Sequence, residues 1–173
     1  MRDSNGSAQK EQLKNFEYRI IVDGTSQFND EKLFDENIRL YLKDLSLDKD
    51  TDKAKVCFLV GDATTGPDRM ITRWCETHGY HYIQFVPDWG DVDVEGAVVR
   101  YRNGVPYNAV ARYWRSEEMA EVANYLITFY DGVSGGTQDL INRMTDRNHP
   151  CRVILVHIEK DEETDHGRQQ KGR

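Results

Sequence analysis

Three short loops rich in glycine, hydroxyl and carboxyl side chains hold the residues of this sequence that could do chemistry. They span residues 23–28 (Asp-Gly-Thr-Ser-Gln-Phe), 61–68 (Gly-Asp-Ala-Thr-Thr-Gly-Pro-Asp) and 131–137 (Asp-Gly-Val-Ser-Gly-Gly-Thr). Glycine lets a backbone approach a phosphate closely, and hydroxyls and the first N–H groups of a helix bind its oxygens. The second and third loops therefore indicate phosphate binding, although neither is a P-loop. A plain tight turn is the alternative for each loop taken alone.

Four aspartates in the same loops, Asp23, Asp62, Asp68 and Asp131, offer a second kind of chemistry. If they converge, they could hold a divalent cation or act as acid and base, with Asp62 and Asp68 as the catalytic candidates. Capping of turns and helices is the commoner role for such residues. The histidines have no metal-ligand spacing, so the sequence predicts no dedicated metal site.

The elements that must position these loops are indicated by five apolar, β-branched runs. Because the runs are nearly continuous, they are typical of strands covered on both faces. Helical patterns separate most of them, which predicts a Rossmann-like, doubly wound α/β fold with a mainly parallel five-stranded sheet. Ligands of such sheets bind at the carboxyl ends of the strands, where the three loops begin. The predicted strands are residues 18–22, 56–60, 82–86, 125–129 and 152–158, and the predicted helices begin at Asn29 or Asp30, at Pro67, at about Ser116 (ending near Asn124) and near Thr137.

Residues 90–114 interrupt this alternation, because they are long for a connection in an α/β fold. Two extended runs flank Asn103-Gly104, which predicts an inserted β-hairpin at about residues 97–108 with a type I′ turn. The hairpin is too apolar to stand alone in water. It would cover the strand ends as a lid or, as we favour, pack against a second copy in a homodimer. Arg100 and Arg102 would then reach a phosphate in the partner's site.

Composition limits the number of domains, the localisation and the classes of partner. The chain has 173 residues, 31% of them charged, and a formal net charge of −7. Polar composition predicts disordered tails at residues 1–15 and 159–173 around one domain at 16–158. The absence of a secretory pattern or of a membrane-spanning apolar run favours a cytoplasmic protein. The acidic balance disfavours general nucleic-acid binding. The three cysteines lack metal spacing and are interpreted as structural thiols.

The ordered series of motifs resembles the SLOG superfamily over about residues 18–158. The branch of the superfamily whose motifs are most similar consists of the small bacterial and phage proteins called YspA-like or YpsA-related domains. The resemblance implies a Rossmann-like domain that binds nucleotides or nucleotide-derived small molecules. The superfamily also includes the LOG phosphoribohydrolases, DNA-processing proteins and sensors of nucleotide signals. The matching segments are Gly24 to Phe28, residues 61–68, Pro87-Asp88-Trp89, residues 115–120 (Arg-Ser-Glu-Glu-Met-Ala) and residues 131–137.

Three departures from the family pattern bear on function. A Gly-Gly pair is Gly61-Asp62 here, and a carboxylate beside a phosphate is repulsive without a compensating donor or cation. An Arg-Asn pair is Arg115-Ser116, which keeps the cation. LOG hydrolases carry a Glu three residues after the Thr that matches Thr137, and this chain has Leu140 there. LOG-type hydrolysis is therefore disfavoured. The hairpin also lengthens the segment before Arg115 beyond what the branch usually shows.

The expected function is binding of a nucleotide or nucleotide-derived small molecule, as a sensor, sponge or regulator. One alternative is a nucleotide hydrolase that cleaves an N-glycosidic or phosphoester bond. Another is an inhibitor module, of phage origin, that binds a host protein through its acidic surface or its hairpin. The predicted ligand-binding residues are Gly24, Thr25, Gly61, Asp62, Thr64, Gly66, Asp68, Trp89, Arg115, Asp131, Gly132, Ser134, Gly135, Gly136 and Thr137.

Overall fold

The protein is a three-layer α/β domain built on one parallel sheet. The computed structural model describes residues 3–159. In chain order the elements are α1 (Asp3–Leu13), β1 (Tyr18–Gly24), α2 (Glu31–Asp44), a 3-10 helix (Asp50–Lys55), β2 (Val56–Val60), α3 (Gly66–His78), β3 (His81–Gln84), β4 (Val99–Arg102), β5 (Val105–Asn108), α4 (Ala111–Val122), β6 (Tyr125–Tyr130), α5 (Gly135–Asp146) and β7 (Cys151–Leu155).

The sheet has the strand order β3-β2-β1-β6-β7, and all its pairings are parallel. From β1 the chain moves outward to β2 and β3, then returns to place β6 on the other side of β1. This reversal creates a topological switch point between β1 and β6, beside which a crevice opens at the carboxyl ends of the strands. The Rossmann-like, mainly parallel five-stranded fold predicted from the sequence is confirmed.

Two apolar layers hold the helices to opposite faces of the sheet. Ile20 and Val22 of β1 belong to the core under α2 and α3, whereas Ile21 between them belongs to the core under α1, α4 and α5. Alternation of this kind follows from the period of two in an extended strand. Because both faces are covered, the strands need apolar side chains at consecutive positions, which explains the continuous runs in the sequence.

Several local sequence signals have their expected effect. The side chain of Asp30 caps α2 by accepting a hydrogen bond of 2.9 Å from the Leu33 N–H. Pro67 lies in the first turn of α3, which ends at Gly79 in the left-handed conformation, with φ 75°. β4 and β5 form the predicted hairpin, and Asn103 and Gly104 both have positive φ, as a type I′ turn requires.

Other elements differ from the sequence predictions. Residues 3–13 form a helix where polar composition predicted a disordered tail, and Leu13 at its end is only 1% exposed because it packs into the core. α4 begins at Ala111, about five residues before the predicted start. The predicted tail at 159–173 lies, except for its first residue, outside the described part of the chain. No helix within residues 3–159 is long and apolar enough to cross a membrane.

Candidate ligand site at the strand ends

A cavity of about 430 Å³ opens at the carboxyl ends of the strands, beside the switch point. Residues of the loops after β1, β2, β3 and β6 and of the first turns of α4 and α5 line it. We call it the strand-end cavity. Ten of the fifteen predicted ligand-binding residues line it: Gly24, Thr25, Asp62, Asp68, Trp89, Arg115, Ser134, Gly135, Gly136 and Thr137.

The other five predicted residues do not line this cavity. Thr64 is exposed on the loop after β2. Gly66 and Gly132 have positive φ and shape turns, and a Cβ at Gly66 would lie 2.9 Å from Ser26 Cα. A Cβ at Gly61 would lie 2.6 Å from Nη1 of Arg115, which lines the cavity. Asp131 accepts hydrogen bonds from the Val133 and Ser134 N–H groups and from the Ser134 hydroxyl, which is the capping role named as its alternative.

Arg115 of α4 is the main cation of the cavity. Its Nη1 donates to Asp62 Oδ1 at 3.3 Å and to the Phe85 carbonyl at 3.5 Å. Its Nε is buried and has no hydrogen-bond partner among the described residues. A buried donor left unsatisfied is costly, so an acceptor that reached this Nε–H would stabilise the site. An incoming oxyanion would supply one, with the fork geometry that arginine offers.

A second cation, Arg112, was missed by the sequence analysis. It lies one turn before Arg115 on α4, and its guanidinium rests against Gly136, where a Cβ would stand 2.5 Å from Nη2. The sequence carried a signal for it: in a helix that begins at residue 111, positions 112 and 115 share one face. The sequence analysis expected α4 to begin near Ser116, so positions 112 and 115 fell outside the predicted helix and their spacing could not be interpreted. The glycine at 136 thus lets a cation lie close to the start of α5.

The start of α5 also lines the cavity, beside Arg112. The N-cap, Ser134, makes no side-chain capping hydrogen bond, so the first N–H groups of the helix are not capped by its hydroxyl. Gly135, Gly136 and Thr137 all line the cavity. Free N–H groups and the positive end of the helix dipole make such a terminus favourable for anions. Two arginines and a helix N-terminus therefore border the same space.

Two acidic side chains of the cavity hold their protons more strongly than usual. Burial and the charge of Asp23 raise the pKa of Asp68 to about 7, although the Ala63 N–H donates to its carboxyl group. Part of Asp23 is exposed, but its Oδ2 is buried without a partner among the described residues. Burial raises the pKa of Asp23, and Arg115 and the Thr137 hydroxyl oppose this rise. A protonated carboxyl group donates a hydrogen bond and does not repel an anion.

From the sequence, the carboxylate of Asp62 would repel a phosphate unless a cation or donor compensated it. In the structure, Arg115 is that cation. The Asp62 carboxylate pairs with Arg115 at 3.3 Å, and the pair is partly buried. Three of the four aspartates expected to converge, Asp23, Asp62 and Asp68, line the cavity, and Asp131 does not. Within residues 3–159, no group of three or more His, Cys, Asp or Glu side chains is arranged to hold a metal ion.

Thr25 fastens the loops together. It is 1% exposed, its N–H donates to the Phe129 carbonyl at 2.9 Å, and its Oγ1 accepts from the Asp131 N–H at 3.1 Å. The same oxygen lies 3.2 Å from Ser134 Oγ. Its hydroxyl is thus engaged within the protein, and its main effect is to fix the loop after β1 against the loop after β6. The structure thus gives Thr25 a positioning role, and its contact with a ligand stays a prediction.

No family model and no curated protein sequence matches the chain. Among solved structures, DNA processing protein A (DprA) from Streptococcus pneumoniae is similar, with a TM-score of 0.58 and 13% identity. The fold is Rossmann-like. The match covers 85% of this chain and 53% of DprA, so the chain spans about half the length of that protein. A homoserine dehydrogenase from S. aureus aligns with a TM-score of only 0.29, which carries no argument. Membership of the SLOG superfamily stays a prediction.

Proposed function

We propose that the chain binds a nucleotide or nucleotide-derived small molecule in the strand-end cavity and acts as a sensor, sponge or regulator. The observation that carries this proposal is the Nε of Arg115, which is buried without a hydrogen-bond partner among residues 3–159, in a cavity that the start of α5 also lines. A phosphate placed between them would accept from the guanidinium of Arg115 and from backbone N–H groups of α5, with Arg112 as a second cation.

The remaining groups of the cavity suit the rest of a nucleotide. A volume of about 430 Å³ lies within the usual range of about 300–1,000 Å³ for small-molecule sites. The carboxyl groups of Asp23 and Asp68 can donate to or accept from sugar hydroxyls, as acidic residues do in other nucleotide sites. Trp89 at the rim is 39% exposed and presents an aromatic surface. The Rossmann-like fold shared with DprA is compatible with this proposal at the level of the fold.

Hydrolysis of a nucleotide is the second candidate, and one observation favours it. A carboxyl group with a pKa of about 7, as in Asp68, can act as a general acid near neutral pH. It would protonate the leaving group while a water molecule attacks the sugar or the phosphorus. The residue at the position of the LOG glutamate cannot contribute, because Leu140 is 3% exposed and packs in the core.

Mass spectrometry of small molecules released from natively purified protein tests the proposal. We expect a phosphate-bearing, nucleotide-type compound in the wild type and a strongly reduced amount in Arg115→Gln. Arg69→Gln is the matched control, because Arg69 is exposed on α3 and does not line the cavity. Equal amounts in all three proteins would place the compound elsewhere. Incubating the protein with the released compound then separates binding from hydrolysis, since only hydrolysis consumes it.

A further inference from the structure

A second cavity, of about 460 Å³, lies between the hairpin and the loop after β3. It is lined by Trp89, Arg102, Asn103, Val105 and Tyr107, and we call it the hairpin cavity. Trp89 lines both this cavity and the strand-end cavity, so the two spaces adjoin at this residue. A molecule bound among the strand-end loops could therefore extend past Trp89 to the hairpin.

The walls of the hairpin cavity combine aromatic rings with a cation. The rings of Trp89 and Tyr107 have centroids 6.3 Å apart and are inclined at 67°. The guanidinium of Arg102 lies over the Tyr107 ring, 5.7 Å from its centroid. Arg102 thus faces a tyrosine of its own hairpin, whereas the sequence analysis directed it toward a partner's site. Aromatic faces beside an arginine are the surfaces on which nucleobases stack.

The hairpin is held in place by one buried side chain at its base. Asn108 is fully buried, and its Oδ1 accepts from the N–H groups of Val98 and Val110. Its Nδ2 donates to the Asp91 carbonyl, and its own N–H donates to the Trp89 carbonyl at 2.8 Å. The last bond ties the hairpin directly to Trp89, the residue that lines both cavities. The backbones that carry the two aromatic rings are consequently fixed against each other before any ligand arrives, which lowers the entropic cost of binding.

We propose that the hairpin cavity is a base subsite: it takes the nucleobase of a ligand whose phosphate lies in the strand-end cavity. The base would pack against Trp89 and Tyr107, and Arg102 would lie over the ring or bind its acceptor atoms. This inference rests on the proposed function and names the ligand class, a 5′-phosphorylated nucleoside. It also gives the inserted hairpin a role, because the hairpin supplies four of the five lining residues.

The test compares ligands with and without a base by calorimetry. The probes are the four nucleoside 5′-monophosphates, the matching nucleosides, and ribose 5-phosphate, which has no base. The variants are Tyr107→Ala, Tyr107→Phe and Arg115→Gln. Tyr101→Ala is the matched control, since Tyr101 is on the opposite face of the same hairpin and is 71% exposed. Tyr107→Phe keeps the aromatic ring and removes only the hydroxyl. It therefore shows whether a loss of affinity in Tyr107→Ala comes from the missing ring.

For at least one monophosphate, we expect Tyr107→Ala to lower affinity about tenfold or more, the usual range for loss of one stacking partner. Affinity for ribose 5-phosphate stays unchanged in that variant, and Tyr107→Phe and Tyr101→Ala keep wild-type affinity for both. Equal affinities of Tyr107→Ala and wild type for every monophosphate would overturn the subsite. An equal loss of affinity for ribose 5-phosphate in Tyr107→Ala would overturn it too, because the ring would then act only by maintaining the fold.

The nucleosides separate this inference from the proposed function. If nucleosides bind, depend on Tyr107 and ignore Arg115→Gln, while ribose 5-phosphate does not bind at all, the base subsite stands and the phosphate site fails. If ribose 5-phosphate binds and depends on Arg115, but Tyr107→Ala has no effect on any probe, the phosphate site stands and the base subsite fails. If no probe binds, both are wrong.

Discussion

The guanidinium of Arg115 lies directly against the backbone of Gly61: a Cβ at Gly61 would stand 2.6 Å from Nη1 of Arg115. The same Cβ would stand 2.6 Å from Oδ2 of Asp68. Glycine is therefore required here for close packing, since its φ does not lie in the left-handed region. The side chains of Arg115 and Asp68 both occupy the space that a Cβ at position 61 would need.

Gly61→Ala should accordingly displace Arg115 and Asp68 without unfolding the chain. The atoms that must move are the ends of side chains, so we expect a loss of about 1 kcal/mol in unfolding free energy. Affinity for ribose 5-phosphate should fall about tenfold, because a charged hydrogen bond is weakened. Gly90→Ala is the control, since Gly90 does not line the cavity and its Cβ would meet only Asp88 Oδ1, at an ordinary contact distance of 3.8 Å. The same affinity in Gly61→Ala and wild type would show that Arg115 does not contact the phosphate.

Gly135→Asp should abolish phosphate binding while leaving the fold intact. The new side chain has room, and a carboxylate in the first turn of α5 is favourable to the helix by about 0.5 kcal/mol. It would place a negative charge where the phosphate is expected. Gly135→Asn has similar bulk without the charge and should bind more tightly than Gly135→Asp. Calorimetry with a nucleoside monophosphate measures both, and unchanged affinity in Gly135→Asp would remove this loop from the site.

Asp68 should make the protein less stable as pH rises. Its pKa is raised from 3.8 to about 7 in the folded state, mainly by burial and by Asp23. Between about pH 4 and pH 7 the folded protein keeps a proton that the unfolded chain has released, so unfolding free energy falls across this window. At full ionisation the loss is about 4 kcal/mol, from about 1.4 kcal/mol for each pH unit.

Urea unfolding of Asp68→Asn at pH 5 and pH 8 checks this dependence. The amide can still accept from the Ala63 N–H, so the contact within the loop is retained. We expect a clearly smaller fall in stability between the two pH values than in wild type. Asp48→Asn, at an exposed position, should leave the fall unchanged. If wild type and Asp68→Asn lose the same free energy, the group that titrates is another one.

The outer face of the hairpin leads to a prediction about assembly. Tyr101 is 71% exposed, and Val99 on the same face is also exposed. We predict that this face forms the contact of a homodimer, as the sequence favoured. Tyr101→Arg should give a monomer in light scattering and should keep wild-type affinity for nucleotides. A wild-type chain that is monomeric at all concentrations measured would contradict the prediction.

The parts of the fold that sequence reasoning predicted are those fixed by local chemistry. Asn103-Gly104 tolerates positive φ at two consecutive positions, and Asp30 offers a capping oxygen to a nearby N–H. Such signals lie within a few residues of the structure that they specify. The start of α4 lacks them: its N-cap is Val110, which has no capping side chain. The helix boundary, and with it Arg112, was misplaced for that reason.

The interactions that sequence reasoning missed connect distant parts of the chain. The hydroxyl of Thr25 accepts from the N–H of Asp131, 106 positions away, a contact that the sequence analysis did not predict. α1 has a polar sequence, and it is anchored by Leu13 in a core built largely by later elements. Nothing in the local pattern of either segment indicates such a partner. The convergence of Asp23, Asp62 and Asp68 could be predicted, because parallel strands bring their carboxyl ends to one edge.

Calorimetric titration of wild type and Arg115→Gln with the four nucleoside 5′-monophosphates tests the central claim most directly. The claim is that the strand-end cavity binds a nucleotide through the guanidinium of Arg115, whose Nε has no hydrogen-bond partner in the described part of the chain. Wild type should bind at least one of the four, and Arg115→Gln should bind it at least about tenfold more weakly, since charged hydrogen bonds are lost. Arg69→Gln should match wild type. Equal affinities in wild type and Arg115→Gln, or no binding of any of the four by wild type, would contradict the claim.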